Sequence, residues 1–223
     1  GRAGGRLQRL LCAGQVALAV VAVVSGALLV QSLARLSRMD PAFEADRLLA
    51  IGVSLRAQRE RTPASSAAFY SELRTRLSAL PGVRRVTLTS AAPFRAVPLS
   101  SNPVWADGAP DARRVEAERR VVLPNYFEVM GLRVTDGVVP AAVPPAGDCR
   151  VLVSRTLARE LWPAGRAVGS RLHGVHRTEK RNADQPCPVV GVVEDIKERT
   201  LADPPLPTYY KIDDLSGYAR VEA

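Results

Sequence analysis

The sequence predicts a membrane protein in which one N-terminal transmembrane helix precedes a domain of mixed helices and strands. Residues 10–30 contain no charged side chain, and about 20 such residues in an α-helix cross the ~30 Å hydrocarbon core of a bilayer. Residues 48–55 place their larger apolar side chains at every second position, as a strand does. Residues 64–80 carry apolar side chains three or four positions apart, which indicates a helix with one buried face.

The charges beside the apolar run indicate how it crosses the membrane. Three arginines precede it without an acidic neighbour, whereas Arg35 and Arg38, which follow it, lie close to acidic residues. The positive-inside rule therefore favours a cytoplasmic flank and transmembrane helix over residues 1–38 and an extracytoplasmic domain over residues 39–223. The main alternative is a cleaved signal peptide, whose apolar region is about 7–15 residues long and ends in an A-x-A-like site. This run is longer and lacks a good site.

Small side chains recur on one face of the predicted transmembrane helix. Ala19, Ala22 and Gly26 lie at helical spacing, and small residues allow a second transmembrane helix to approach closely. These three residues are a candidate helix-packing face. The alternative is the ordinary Ala and Gly content of an Ala-rich segment.

The net charge of +9 and the pI of 10.2 do not indicate a nucleic-acid-binding protein. Five of the basic residues flank the apolar run, and the others are scattered along the chain. Aromatic residues make up only 5% of the chain, too few for a surface on which bases stack. We therefore expect no nucleic-acid partner.

The exported domain begins with a predicted β-α-β unit. Thr62 and Pro63 mark the start of the helix, Pro81 and Gly82 mark its end, and residues 83–90 form the second strand. Residues 91–110 are rich in Pro, Ser, Gly and Asn and predict an irregular excursion. The remaining predicted elements are a strand over 115–123, a short helix from 124 to 131, a linker over 138–147, and then a strand over 149–153, a helix from Ser154 to Trp162, and strands over 189–193 and 208–212.

The sequence offers no catalytic, cofactor-binding or metal-binding site. His173 and His176 form an H-x-x-H pair, but Gly174 lies between them in a polar stretch, and a zinc site needs further ligands. Glu194 and Asp195 follow a predicted strand without an accompanying nucleophile, so a capped strand end or a turn is the better interpretation. Phosphate-binding and serine-nucleophile motifs are missing from the sequence.

Two cysteines are a candidate disulfide. Cys149 and Cys187 each stand immediately before a predicted strand, whereas Cys12 lies in the apolar run. If the two strands are neighbours that start at the same edge, the Cα atoms come within bonding range, and an exported domain lies in an oxidising compartment. The alternative is two free thiols.

The order of short motifs over nearly the whole chain resembles the periplasmic core domain of MacB-like, FtsX-superfamily ABC transporter permeases, together with its preceding transmembrane helix. The motifs are QVALA (15–19), DPAF (40–43), FYSELRTRL (69–77), LPGV (80–83), PNYFEVMGL (124–132), VSRTLA (153–158), LWP (161–163), VGSRL (168–172) and VVGVVED (189–195). Each motif alone is weak, and their shared order makes the resemblance specific.

The resemblance implies an α+β, two-lobed domain with a β-α-β porter-like lobe and an inserted second lobe over about 91–135. It also implies a non-catalytic permease subunit of the bacterial inner membrane, in which a separate or fused cytoplasmic ATPase supplies motion for work in the periplasm. The expected partners are that ATPase, other permease helices or a second permease copy, a periplasmic adaptor and the lipid bilayer, and no cofactor is expected.

Two features depart from that family. Its permeases have at least four transmembrane helices, whereas this sequence has one apolar run and begins with Gly. The chain is thus either a fragment of a longer permease or a copy that does not couple to an ATPase. A single-anchor binding or adaptor module is the alternative function, and a tethered hydrolase would need a nucleophile and base that the sequence does not offer.

Overall fold

The computed structural model describes residues 2–36, 47–54, 63–94, 100–108, 114–145, 147–175, 185–197, 199–200, 203–215 and 220–222. The chain divides into two compact units, Gly1–Asp40 and Pro41–Ala223. Helices and strands alternate irregularly in the second unit, which confirms the α+β class. In chain order the elements are α1 (Arg2–Leu36), β1 (Gly52–Ser54), α2 (Pro63–Ser78), β2 (Ser100–Ala106), β3 (Val115–Val122), α3 (Tyr126–Val129), β4 (Val134–Gly137), β5 (Val151–Ser154), α4 (Arg155–Leu161), β6 (Arg171–His173), β7 (Cys187–Val193), β8 (Thr208–Ile212) and β9 (Arg220–Glu222).

The first unit contains the single helix α1, which includes the whole predicted span. Its stretch Leu11–Ala34 is long and apolar enough to cross a membrane, and none of that stretch is buried. An apolar helix exposed on all sides is the form that a lipid environment stabilises, because its backbone hydrogen bonds are all internal.

Most strands of the second unit form a ring of pairings. The order is β7-β5-β8-β3-β2-β6, and β6 pairs again with β7, while β4 extends the sheet from the other half of β7. The pairs β3–β8 and β5–β7 are parallel, and the remaining pairs are antiparallel. Strand β6 is the narrow point of the ring, since only two residue pairs join it to β2 and two join it to β7.

The sheet is covered on both faces, which explains why its strands are so apolar. Neighbouring residues of β8 show this, because Tyr209 belongs to one buried cluster and Tyr210 to another. The first cluster also receives Leu157 and Leu161 of α4. The second receives Tyr126 and Phe127 of α3, whereas α2 packs against a third cluster at the end of β3.

The predicted helix of the first β-α-β unit is confirmed as α2, but the strands around it pair differently. Strand β1 pairs with β9 near the end of the chain, which no local pattern predicts. Residues 83–90 form no strand and meet β3 at one bridge, between Thr89 and Val122. Backbone hydrogen bonds at Leu88 and Ser90 complete that contact, so only the end of this stretch is paired.

Strand β2 lies within the stretch that the sequence predicts to be irregular. Its sequence SSNPVWA contains Pro103, a residue disfavoured in strands, yet it pairs with β3 over five residues. Asn102 contributes a buried hydrogen bond, 2.8 Å long, from its Nδ2 to the hydroxyl of Tyr209. Tertiary pairing therefore outweighs local preference here.

The division of residues 39–223 into two lobes stays a prediction. Strands β2 and β3 lie in the stretch 91–135, and β4 begins at its end; they pair with β6, β8 and β7 from the later part of the chain.

Candidate functional site

The two carboxylates after β7 stabilise the fold. Asp195 Oδ1 accepts a hydrogen bond from the backbone N–H of Thr156, 2.8 Å away, in the first turn of α4. Glu194 Oε1 lies 2.9 Å from the guanidinium of Arg133 and 3.4 Å from that of Arg155. One carboxylate thus caps helix α4 and the other joins two arginines. Both have structural contacts, but the cap is on α4 and not on the end of β7.

His173 lies in a stack of side chains where β2 meets β6. Its ring stacks on Trp105 with centroids 5.5 Å apart and an interplanar angle of 12°. Its Nε2 lies 3.0 Å from Asp107 Oδ1, and the Arg114 guanidinium lies 4.6 Å from the Trp105 ring centre, within cation–π range. His176, the other member of the predicted pair, lies outside the described residues.

Cys149 lies two residues before β5 and Cys187 is the first residue of β7, and the two strands are parallel neighbours as the hypothesis requires. Their sulfurs are 2.00 Å apart and their Cα atoms 5.2 Å apart, and both side chains are buried. Cys187 also pairs with Leu172 of β6, so the two cysteines lie beside the narrow point of the ring. The disulfide in the native protein stays a prediction, and so does its contribution to stability.

The small-residue face of α1 is open. A Cβ built on Gly26 meets no atom within 4 Å, and Ala19 and Ala22 are exposed. The role of these residues in helix packing stays a prediction.

Buried charges between β3 and β8 are a feature that sequence analysis missed. Glu118, Arg120 and Lys211 are each at most 5% exposed. An Arg120 guanidinium N–H donates to the carbonyl of Ala91, and Lys211 Nζ lies 3.2 Å from Asp213 Oδ2. Alternation along β3 predicts a solvent-facing side for Glu118 and Arg120, but both side chains are buried.

Burial also raises the pKa of the Asp213 carboxyl above its ordinary value, the positive charge of Lys211 opposes this shift, and a hydrogen bond with Asp214 adds to it. Each buried charge has a contact that holds the fold, and none of these contacts places a nucleophile beside a base.

The described residues also contain no group of three His, Cys, Asp or Glu side chains placed to hold a metal ion. A shallow cleft of about 290 Å³ is lined by Arg171, Gln185, Pro186 and Pro188, beside β6 and β7. Its lining offers no acid–base pair among these four residues.

Comparison with known proteins identifies the family. No curated protein matches the chain. Solved structures that are similar to it include a domain of a putative permease protein from Porphyromonas gingivalis (18% identity, TM-score 0.45, 65% of this chain and 61% of that one), the extracellular domain of the noncanonic ABC-type transporter YknZ from Gram-positive bacteria (18%, 0.47, 78% and 82%), and the periplasmic region of MacB from Actinobacillus actinomycetemcomitans (14%, 0.45, 78% and 72%). The chain thus spans 61% of the first of these structures.

A family model described as the MacB-like periplasmic core domain matches residues 10–212, which is nearly the whole sequence. The match includes the apolar helix as well as the ring of strands. The resemblance of the short motifs is therefore confirmed, and the chain belongs to the MacB-like periplasmic core domain family.

Proposed function

We propose that this chain is the periplasmic part and leading membrane helix of a permease that couples a partner cytoplasmic ATPase to work in the periplasm. The observation that carries the proposal is the family match over residues 10–212, which treats helix and domain as one continuous unit. In this proposal the chain catalyses no reaction itself. Its role is to transmit motion from the membrane to the exported domain.

The contacts of the polar side chains support a non-catalytic role. Of the four residues considered for catalysis, Glu194, Asp195 and His173 are described, and each engages in a contact within the fold. A general acid or base needs to reach a substrate proton, and these side chains are already committed to neighbouring residues.

The pairing of β1 with β9 supports a transmission role. The two strands are antiparallel, and Gly52 lies opposite Glu222. Chain that enters the domain through β1 and chain that leaves it through β9 therefore run side by side. Such a layout suits a domain that is inserted between two membrane helices, because both connections then reach the membrane at one place.

The size of the native polypeptide and its partners test the proposal. An antibody raised against residues 39–223 would be used to probe membranes of the source organism, and detergent-solubilised material captured with it would be assayed for ATP hydrolysis and analysed by mass spectrometry. We expect a band well above the 24.0 kDa of this chain and a co-purified ABC ATPase. A band at 24.0 kDa without an ATPase would overturn the proposal.

That second outcome would favour a single-anchor binding or adaptor module. The observation on its side is that α1 is the one described helix long and apolar enough to cross a membrane. Such a module would bind its partner in the periplasm without ATPase coupling.

We further propose that the protein lies in the inner membrane with its N-terminus in the cytoplasm. The arginines before residue 10 support this orientation. A membrane-impermeant maleimide applied to intact spheroplasts should label Pro204→Cys, in the exported domain, but should not label Gly5→Cys until the membrane is permeabilised. The reverse pattern would contradict the orientation.

A further inference from the structure

Two described segments of the exported domain each expose a pair of large apolar side chains to solvent. Leu49 and Ile51, just before β1, are 80% and 41% exposed. Leu80 and Val83, in the turn after α2, are 51% and 38% exposed. Single exposed apolar residues are ordinary, but pairs of them within short segments mark a surface that contacts another apolar phase.

The turn after α2 adjoins α3, and the segment before β1 packs against the buried cluster to which Tyr126 and Phe127 of α3 belong. Asn125 Nδ2 donates to the carbonyl of Val86, 2.9 Å away, and Arg85 forms an ion pair with Glu128 at 3.0 Å. The other segment is held by Leu48, which packs against the cluster that contains α3. Helix α3 follows the end of β3, so the turn after α2 lies at that end of the sheet.

The charges in these segments are positive. Arg47 and Arg84 are exposed and lie beside the apolar residues in the chain. Apolar side chains flanked by arginines are the composition that binds the headgroup region of an anionic bilayer. The covalent chain keeps the bilayer within reach, because Arg47 follows the last residue of α1 by only 11 positions, at most about 40 Å of extended chain.

We propose that a membrane-contact surface, made of Arg47, Leu49, Ile51, Leu80, Val83 and Arg84, rests on the headgroup region of the bilayer that anchors the chain. The apolar side chains enter the interface, and the two guanidinium groups bind lipid phosphates. This inference rests on α1 spanning the bilayer and not on coupling to an ATPase. Contact with lipid at these points would fix how the domain stands on the membrane.

Quenching by lipid tests the surface. In a Cys12→Ser chain, whose other native cysteines Cys149 and Cys187 are buried, one added cysteine at position 49, 80 or 204 would carry an environment-sensitive fluorophore. The labelled protein would be reconstituted into phosphatidylethanolamine–phosphatidylglycerol vesicles with and without brominated acyl chains. Pro204 is the matched control, because it is exposed and precedes the first residue of β8. Strand β8 runs parallel to β3, so its start lies away from the end of β3 that the turn after α2 contacts. We expect quenching at 49 and 80 at least threefold greater than at 204. Equal quenching at all three positions would overturn the proposal.

A fluorophore at Val21→Cys, within the apolar stretch of α1, separates failure of the surface from failure of the anchor. Strong quenching at 21 together with background quenching at 49 and 80 would reject the surface and leave the anchor in place. No quenching at 21 would reject both. Protection of 49 and 80 from aqueous iodide without lipid quenching would mean that protein covers them, such as a second copy, and would also overturn the proposal.

The role of charge is tested separately. Arg47→Glu with Arg84→Glu should at least halve the quenching at position 80 in vesicles that contain phosphatidylglycerol. Arg159→Glu, an exposed residue of α4 outside the surface, is the control and should leave the quenching unchanged. If the double variant matches this control, the two arginines do not bind lipid phosphates and that part of the proposal is rejected.

Discussion

Ser154 shows how one buried hydroxyl joins two parts of the domain. Its Oγ accepts hydrogen bonds from the backbone N–H of Leu157 in α4, at 3.2 Å, and of Thr208 at the start of β8, at 3.0 Å. The side chain is 1% exposed, so no water replaces it. A single residue thus caps a helix and ties it to a strand 54 positions later.

Ser154→Ala should lower the free energy of unfolding by about 1–3 kcal/mol, because it leaves two buried N–H donors without their acceptor. Urea unfolding followed by tryptophan fluorescence measures this, since Trp105 and Trp162 are the only tryptophans and both lie in the second unit. Thr75→Ala is the control, because its hydroxyl donates to Ser71 on the exposed side of α2. It should change the value by less than about 0.5 kcal/mol, and equal effects of the two changes would contradict the prediction.

Asp213 should make the stability depend on pH. Burial raises the pKa of its carboxyl above the ordinary value of 3.8, with Lys211 opposing the shift. A carboxyl with a higher pKa in the folded state than in the unfolded state binds its proton more tightly when folded, so stability falls as the pH rises through that interval. The interval begins at about 3.8 and ends at the raised pKa of the folded state.

Asp213→Asn removes this titration. The free energy of unfolding of the original chain, relative to the Asn variant, should therefore decrease as the pH rises from about 4 towards neutrality. Urea unfolding of both chains over that range gives the difference, in which the titrations common to both chains cancel. A constant difference, or one that grows with pH, would show that the carboxyl is not destabilised by burial.

At the scale of elements, local sequence predicts what local interactions decide. Helix α2 has a starting Pro63, an apolar stripe and a terminating Pro81, and all three signals act within its own residues. Strand β1 is also recognisable from its alternation, but its partner β9 lies about 170 positions away. Pairing over such a distance depends on the packing of the whole domain.

The residues of the candidate site also divide into those that a local pattern predicts and those whose contacts depend on distant parts of the chain. The structural role of the carboxylates after β7 could be predicted in part, because acidic residues at a strand end are a local pattern, but the helix that Asp195 caps lies 39 positions earlier in the chain. The stack around His173 could not be predicted, since it needs β2, β6 and the start of β3 to meet. The burial of Glu118 and Arg120 was missed for a similar reason, as their alternation in β3 is that of a strand with one wet face.

Gly174 should be required for the stability of the contact between β6 and β2. Its φ is +83°, and a Cβ at this position would lie within 2.3 Å of the carbonyl oxygen of Pro103. Gly174→Ala should therefore cost about 2–4 kcal/mol through both backbone strain and a steric clash. Gly169 is the control, because its φ is +88° but a Cβ there meets nothing within 4 Å.

Gly169→Ala should thus show the cost of the conformation alone, about 1 kcal/mol. Thermal unfolding of the two variants, followed by tryptophan fluorescence, compares them directly. Similar losses from both would mean that the close approach of β2 to Gly174 does not stabilise the ring, and that β6 is held mainly by β7.

The pair Cys149 and Cys187 should hold the starts of β5 and β7 together as a disulfide. Alkylation of the unfolded, non-reduced protein should then modify Cys12 alone, and mass mapping should recover one peptide pair joined through the other two cysteines. Replacing both with Ala should lower the free energy of unfolding by about 4 kcal/mol, given a separation of 38 residues. Cys12→Ser should have no such effect, and alkylation of all three cysteines would refute the bond.

At the scale of the whole molecule, the chain combines two units with opposite demands on their surroundings. The second unit buries its apolar residues in three clusters around the sheet. The first unit exposes almost all of its apolar residues along Leu11–Ala34. In water this helix would leave a large apolar surface uncovered, so membrane insertion is the condition under which the whole chain is stable.

Two arginines introduced in the middle of α1 would test whether the chain depends on membrane insertion. Val20 and Val24 are exposed and lie one turn apart on the same face. Each Arg at the centre of a transmembrane helix costs about 2.5–3.5 kcal/mol on the insertion scale, so Val20→Arg with Val24→Arg should move most of the chain out of the membrane fraction.

Extraction with alkaline carbonate measures the retained fraction, and Val20→Leu with Val24→Leu is the control that should stay fully retained. Mass analysis of the retained chain should find residues 1–30 intact, because an uncleaved helix is the anchor. Carbonate resistance of the arginine variant, or loss of the first 30 residues from the retained chain, would show that something other than α1 holds the domain to the membrane.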